Sequence, residues 1–179
     1  MNYKGIAFFD MDGVLANCGH RLHFIEEGDY DSFYAAENIM KDSPIIAGLD
    51  LAELFSAQGY KIVLITSRRE SCRSATLRWL EEVIGRSSSP LYCILAGQNL
   101  YMRSDGDLRK SWEVKKDLLQ KAIEENKDEF SAALCRFGCN YFVDDYPNNC
   151  KMVKESFPYI QPIIFGLGRI NDNSNIAIE

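Results

Sequence analysis

The sequence predicts an α/β protein, a three-layer sandwich around a mostly parallel, Rossmann-like sheet with one small cap insertion. Three observations lead there. Apolar runs bounded by polar residues recur at Gly5–Phe9, Lys61–Ile65, Leu91–Leu95, Tyr141–Val143 and Ile160–Phe165, the mark of short buried strands. Helical spacing fills the intervals between most of them. Strands alternating with helices of about ten or more residues pair in parallel through right-handed crossovers.

The elements follow in order. Gly5–Phe9 supplies the first strand, and Leu49–Gln58 reads as a helix closed by Gly59. Ser71–Ile84 carries Leu77, Leu80 and Ile84 at helical spacing and stops at Gly85. Val114, Leu118, Ala122 and Ile123 mark another helix, and Asn148–Phe157 a last one. Ala16–Ser43 and Ala96–Ser111 remain as loop-rich insertions too short to be domains. The stretch from Gly166, rich in Asn and Asp, reads as a loosely held tail, flexible over 171–179. Residues 1–170 therefore form a single domain, with its small insertion at about 16–43.

The chain has 179 residues, 46% hydrophobic and 26% charged, with 12 Gly and 5 Pro. That composition excludes a disordered chain, a collagen and a coiled coil. No apolar run approaches the ~18 residues of a membrane span, and a cytoplasmic location is expected. The six cysteines, Cys18, Cys72, Cys93, Cys135, Cys139 and Cys150, are scattered and read as reduced, small hydrophobes. The formal net charge is −6, yet the segment from Arg68 to Lys116 carries ten basic residues against six acids. A phosphate-bearing ligand is drawn to that segment alone.

In open parallel sheets ligands bind beyond the carboxyl ends of the strands. Four polar stretches lie there. Asp10-Met11-Asp12-Gly13 follows the first strand, where residues i and i+2 of an extended chain point the same way, and Gly13 permits a sharp turn. Two close carboxylates divide into an acid and an ionised nucleophile or metal ligand. Asp144-Asp145 brings two more carboxylates to the same edge, a self-repelling set for which Mg²⁺ is a fitting counter-charge, since it takes oxygen ligands and retains waters or phosphate oxygens. Thr66-Ser67-Arg68 ends the second strand ahead of a helix; hydroxyl, free amides and guanidinium make a phosphate cradle. Lys115 gains meaning only with this set.

DxDGV, T-x-R, a later helical Lys and DD, in that order, resemble the haloacid dehalogenase (HAD) superfamily over roughly residues 5–165. The resemblance implies a HAD-like fold, Asp10 as the nucleophile that takes the phosphoryl group and Asp12 as the general acid and base. It implies that Thr66 and Lys115 hold the phosphoryl oxygens, and that Asp10, the main-chain carbonyl of Asp12, and Asp144 or Asp145 hold Mg²⁺. A closer likeness is to the 3′-phosphatase domain family of bacteriophage polynucleotide kinase/phosphatase. It rests on Asp10–Ala16, Gly19-His20-Arg21, Thr66–Ser71, Thr76–Leu80, Gly106–Lys110 and Val114-Lys115. This likeness implies a polynucleotide 3′-phosphate as substrate, Arg21, Ser67 and Arg68 at the phosphate or its nucleotide, and Arg103 and Arg109 along the strand's approach. Val14, Ser67 and Ser111 depart from a pattern with Thr, Gly and Asp. No GxxxxGK[ST] loop occurs in the sequence, so a kinase half is not expected in it.

Two other readings remain open at this stage: a 5′-(deoxy)nucleotidase or other small-molecule HAD phosphatase, and a catalytically silent module that binds phosphate or nucleic acid. The stretch 16–60, once its helix is subtracted, is too short for a large lid, which favours a polynucleotide end or a protein phosphate over an enclosed small molecule. Tyr30, Phe33, Tyr34 and Tyr101 either stack on bases or cover the core.

Overall fold

The structure, a computed structural model, describes residues 3–85, 99–135 and 139–166. Strand β1 (Gly5–Phe9) is buried along its whole length, as a run of five residues without a polar side chain must be when both faces are covered. A short ribbon follows, β2 (Ala16–Asn17) paired antiparallel with β3 (Ser43–Pro44). The ribbon closes the base of the insertion. Between its strands lie a 3₁₀ turn (Gly19–Arg21) and three short helices, α1 (Leu22–Glu26), α2 (Tyr30–Phe33) and α3 (Ala36–Ile39). The insertion is thus largely helical, because Ile25, Phe33 and Ile39 each bury a side chain and turn the connecting backbone around it.

Next come α4 (Ile46–Ala57), β4 (Tyr60–Arg69), a second 3₁₀ turn at Glu70–Cys72, α5 (Arg73–Ile84) and β5 (Leu100–Arg103). The later described elements are α6 (Ser111–Glu125), α7 (Lys127–Cys135), β6 (Asn140–Asp144), α8 (Pro147–Ser156) and β7 (Ile160–Ile164). Pro147 opens α8, where its missing N–H costs no hydrogen bond. The expected strand Leu91–Leu95 lies outside the described residues, as does the tail beyond Gly166. Leu100–Arg103 corrects the expectation of an irregular Ala96–Ser111 stretch. Its four residues are buried against β4, and that apolar contact outweighs their weak β pattern.

The sheet runs β5-β4-β1-β6-β7 with every pair parallel, so the fold is the three-layer α/β sandwich that the sequence predicts. Strand periodicity builds its two cores. Ala7 and Phe9 of β1 with Ile62 and Leu64 of β4 face α4 and α5 and join Ala52, Trp79 and Leu80. Ile6, Phe8, Val63 and Ile65 face the other way, toward Leu119 and Ala122 of α6 and Met152 and Val153 of α8. Cys18, Cys72 and Cys150 are buried free thiols; burial pushes Cys18 and Cys150 up to about 12, so they behave as small hydrophobes. Among the described residues no helix is long and apolar enough to cross a membrane.

Candidate active site

The carboxyl ends of β1, β4 and β6 meet at one edge, and the turn after β1 is wound tightly there. Val14, Leu15 and Ala16 amides all point at the Met11 carbonyl, and Gly13 N–H bonds back to Ala16. Gly13 has φ +86°, a region that costs an L side chain energy, and a Cβ there would lie 2.1 Å from an Asp145 carboxylate oxygen. The turn also leans on α4, where a Cβ on Gly48 would stand 1.8 Å from the Val14 carbonyl oxygen. Chemistry at this edge therefore sits on rigid backbone.

Asp10 is 5% exposed; its Oδ1 accepts the Met11 amide at 2.7 Å and its Oδ2 meets Lys115 Nζ at 2.7 Å. Lys115, one turn into α6, also reaches Asp144 Oδ2 at 2.7 Å. Asp144 is fully buried and accepts from the Tyr146 amide at 2.9 Å and from Asn149 Nδ2 at 2.9 and 3.1 Å. Burial pushes the Asp10 carboxyl well above the usual carboxylate range; Lys115 opposes this and the Asp144 and Asp145 charges add to it. Burial also presses the Lys115 ammonium down, but Asp10 and Asp144 together outweigh it and hold the lysine above its ordinary value.

Asp10, Asp144 and Asp145 offer ligand oxygens within 4.8 Å of one another, the one set among the described residues grouped closely enough to share a metal ion. Three carboxylates crowd together here, and an all-oxygen donor set suits Mg²⁺. The side-chain Oδ1 of Asn149, buried beside Asp144, has no hydrogen-bond partner. The turn at Gly13, pressed on Asp145, leaves no room for a side chain.

Asp12 takes a different environment. Arg68 reaches it with Nη2 at 2.6 Å and Nε at 3.1 Å, and Arg21 with Nη2 at 2.7 Å. Burial raises the Asp12 carboxyl, but Arg68 and then Arg21 more than offset this and hold it below the usual carboxylate range. The i, i+2 pair thus splits between two counter-ions, lysine for Asp10 and arginines for Asp12. The register of β4 against β5 slips between Thr66 and Arg69, so Ser67 and Arg68 bulge out of the ladder; such bulges re-aim side chains.

Thr66 is buried in the carboxyl-terminal half of β4, three residues before its last residue, and its hydroxyl oxygen accepts the Arg68 amide at 3.2 Å. Ser67 Oγ pairs with Ser111 Oγ at 2.7 Å, tying β4 to the start of α6. Arg21 and Arg68 are both fully buried and occupied by carboxylates. Arg103 Nη1 clasps the carbonyls of Asp107 and Arg109 at 2.9 and 2.8 Å, fixing the loop before α6. Arg109 lies on that loop, half-exposed and paired with Asp107 and Asp117. Of the aromatic candidates, Phe33 is buried beneath the Arg21 guanidinium at 4.1 Å, Tyr101 donates to Glu125, and Tyr34 donates to the Ser67 carbonyl. Tyr30 and Tyr34 both lie under Arg69.

Sequence reasoning missed Asp42 and Asn149. Asn149 holds both oxygens of Asp144 from the first turn of α8, a position visible only as the helix following the Asp-Asp pair. Asp42 carries no motif at all.

The family model of the polynucleotide kinase PNKP phosphatase domain matches residues 4–152. The chain belongs to this family. It is a HAD-type phosphatase domain. Among solved structures, a chain of the Pnkp1/Rnl/Hen1 RNA repair complex is similar, with 19% identity, a TM-score of 0.64, 89% of this chain covered and 41% of that one. A haloacid dehalogenase-like hydrolase from Streptococcus pneumoniae is 16% identical with a TM-score of 0.57, over 89% of this chain and 83% of that one. A HAD enzyme from Bacteroides thetaiotaomicron, solved as a magnesium complex, is 14% identical with a TM-score of 0.50, over 96% and 98%. This PNKP-type domain spans less than half the length of the chains in the RNA repair complexes. No curated protein matches it in sequence.

Proposed function

We propose that this phosphatase removes the phosphate from the 3′ end of a polynucleotide strand, with Mg²⁺ as cofactor and a phosphoryl group carried briefly on Asp10. One observation carries the chemistry. A buried lysine bridges Asp10 and Asp144, while Asp12, two residues from Asp10, is held by a separate pair of arginines. The two carboxylates thereby sit in different charge environments, and the family resemblance gives Asp10 the attack and Asp12 the proton transfer. Asp10 Oδ attacks phosphorus; the bond from phosphorus to the 3′ oxygen breaks, and that oxygen takes its proton from Asp12. Asp12, now a carboxylate, accepts a proton from the water that attacks the Asp10 phosphoryl group, releasing phosphate and restoring Asp10. The negative charge of a phosphate bound beside Asp12 would raise that carboxyl toward its acid role.

Thr66 and the Lys115 ammonium, both buried at this edge, would give the equatorial phosphoryl oxygens a hydrogen-bond donor and a positive charge. Asp10, Asp144, Asp145 and the main-chain carbonyl of Asp12 would hold Mg²⁺, which supplies neutralisation of the transferring group. The magnesium complex of the Bacteroides thetaiotaomicron relative supports that cofactor.

The family and the RNA repair context of Pnkp1 favour a nucleic-acid end as substrate. So does the insertion, whose helices have only four or five residues and cannot form a closed chamber. The test is hydrolysis of a 3′-phosphorylated oligonucleotide, its 5′-phosphorylated counterpart and mononucleotides, with and without Mg²⁺. The 3′ oligonucleotide is expected to react fastest, only with metal, and not with Asp10→Asn. Preference for a mononucleotide moves the function to a nucleotidase, and turnover by Asp10→Asn removes the covalent step.

A further inference from the structure

Asp42 stands at the end of the insertion, between α3 and β3, and its side chain has no exposure to solvent. Four hydrogen bonds converge on it. Its Oδ1 accepts from Arg21 Nε at 2.8 Å and His20 Nε2 at 3.0 Å, and its Oδ2 accepts from Arg21 Nη2 at 2.8 Å and Arg68 Nη2 at 2.7 Å. Its main-chain carbonyl accepts Trp79 Nε1 at 2.7 Å, anchoring the residue to α5.

Arg21 and Arg68 are the same two residues that hold Asp12, so Asp12, Arg21, Asp42 and Arg68 close a ring of alternating charge. Three members are wholly buried; Asp12 alone has exposure, 23% of its side chain. A buried ring of two acids and two guanidinium groups is neutral. Without Asp42, two buried cations would face one carboxylate, an arrangement that low-dielectric surroundings penalise heavily. Planar guanidinium groups gripped from behind present their remaining N–H groups to Asp12 in a fixed direction. Arg21 is further fixed by the Phe33 carbonyl at 3.0 Å, and Arg68 by Thr76 at 3.3 Å.

We infer that Asp42 is a positioning residue for the phosphatase reaction, setting the orientation of the Asp12 carboxylate through Arg21 and Arg68. The inference rests on the role of Asp12 as proton donor to the leaving oxygen. It also gives the insertion a part in catalysis, since it contributes both Asp42 and Arg21.

A proton donor matters most for a poor leaving group. An alkyl 3′-phosphate must protonate its departing oxygen, whereas p-nitrophenolate leaves as the anion. Asp42→Asn is therefore expected to lower kcat/KM on a 3′-phosphorylated oligonucleotide by roughly 100-fold, the scale of a small misplacement of a catalytic group, and on p-nitrophenyl phosphate by less than about tenfold. Equal losses on both esters, or none on the oligonucleotide, overturn the inference and leave Asp42 a structural counter-ion. Wild-type protein inactive on both esters defeats the phosphatase reading instead.

Two further measurements stand if Asp42→Asn does not fold. Trp79→Phe keeps all four charges and removes only the indole bond to the Asp42 carbonyl; it should show the same bias between esters, about fivefold. In wild-type protein the Arg21 and Arg68 Nε protons should exchange with water far more slowly than that of exposed Arg78 by NMR. Exchange as fast as Arg78 overturns the ring.

Discussion

Replacing Lys115 by Met is the sharpest test of the charge arrangement at the strand ends. Lys115 is 2% exposed and its ammonium lies 2.7 Å from both Asp10 and Asp144. Met keeps most of the apolar stem and removes the charge, so Asp10 and Asp144, clustered with Asp145, lose the ammonium they share. Removing one partner of a buried ion pair costs about 3–5 kcal/mol. At about 2–4 °C per kcal/mol for a chain of this size, the melting temperature should fall by about 6–20 °C. The loss should have two signatures. Asp10 already has a raised carboxyl, so its folded form binds a proton more readily than its unfolded form, and stability lost at neutral pH should be partly regained as pH falls toward the ordinary carboxylate range. Mg²⁺ at a hundredfold excess over its dissociation constant should restore about 2.7 kcal/mol by mass action. Differential scanning fluorimetry at neutral and mildly acidic pH, with and without Mg²⁺, reads all three. A fall of less than about 3 °C, or one indifferent to both metal and pH, refutes the reasoning, because an exposed lysine would behave that way.

Gly13→Ala should abolish turnover and the Mg²⁺-induced rise in melting temperature, since its methyl group would occupy the Asp145 carboxylate position and also needs an unfavourable φ; normal Mg²⁺ stabilisation would contradict this. Gly48→Ala should destabilise the fold by at least about 2 kcal/mol in urea titration, because the added Cβ would force α4 off the Val14 carbonyl; a neutral effect would show that the contact relaxes freely. Asp12 has a folded pKa below its ordinary value, so the stability it provides is complete above the usual carboxylate range and is lost as pH falls through the lowered value. Asp12→Asn should therefore be less stable than wild type at pH 7, with the gap narrowing in acid, as measured by urea unfolding across pH. If the Arg68–Lys116 segment tracks a strand, affinity for oligonucleotides should fall steeply with salt; a salt-insensitive Michaelis constant would remove that role.

Several features of the molecule were legible before any coordinates. β1 was visible because five consecutive residues lack polar side chains, and Asp10, Thr66 and Asp144 were visible because they stand where such runs end. Lys115 was recoverable only as the fourth part of an ordered set. Strand β5 was not, since Leu100–Arg103 is short and mixes Tyr and Arg with its apolar residues. The insertion's helices were hidden for a related reason: with four or five residues each they complete too few turns to show a period.

What the amino-acid order determined alone is local: strand and helix periods, the turn that Gly13 allows, and acids and a hydroxyl placed at strand ends. Which charge faces which was decided only by the tertiary structure. Asp10 and Asp12 are two residues apart and chemically identical, yet one meets a lysine from α6 and the other two arginines from the insertion and β4. Asp42, thirty-two positions after Asp10 and bare of any motif, joins the site because Arg21 and Arg68 converge there. Electrostatic energy depends on distance in space and on burial, and neither is a property of sequence separation.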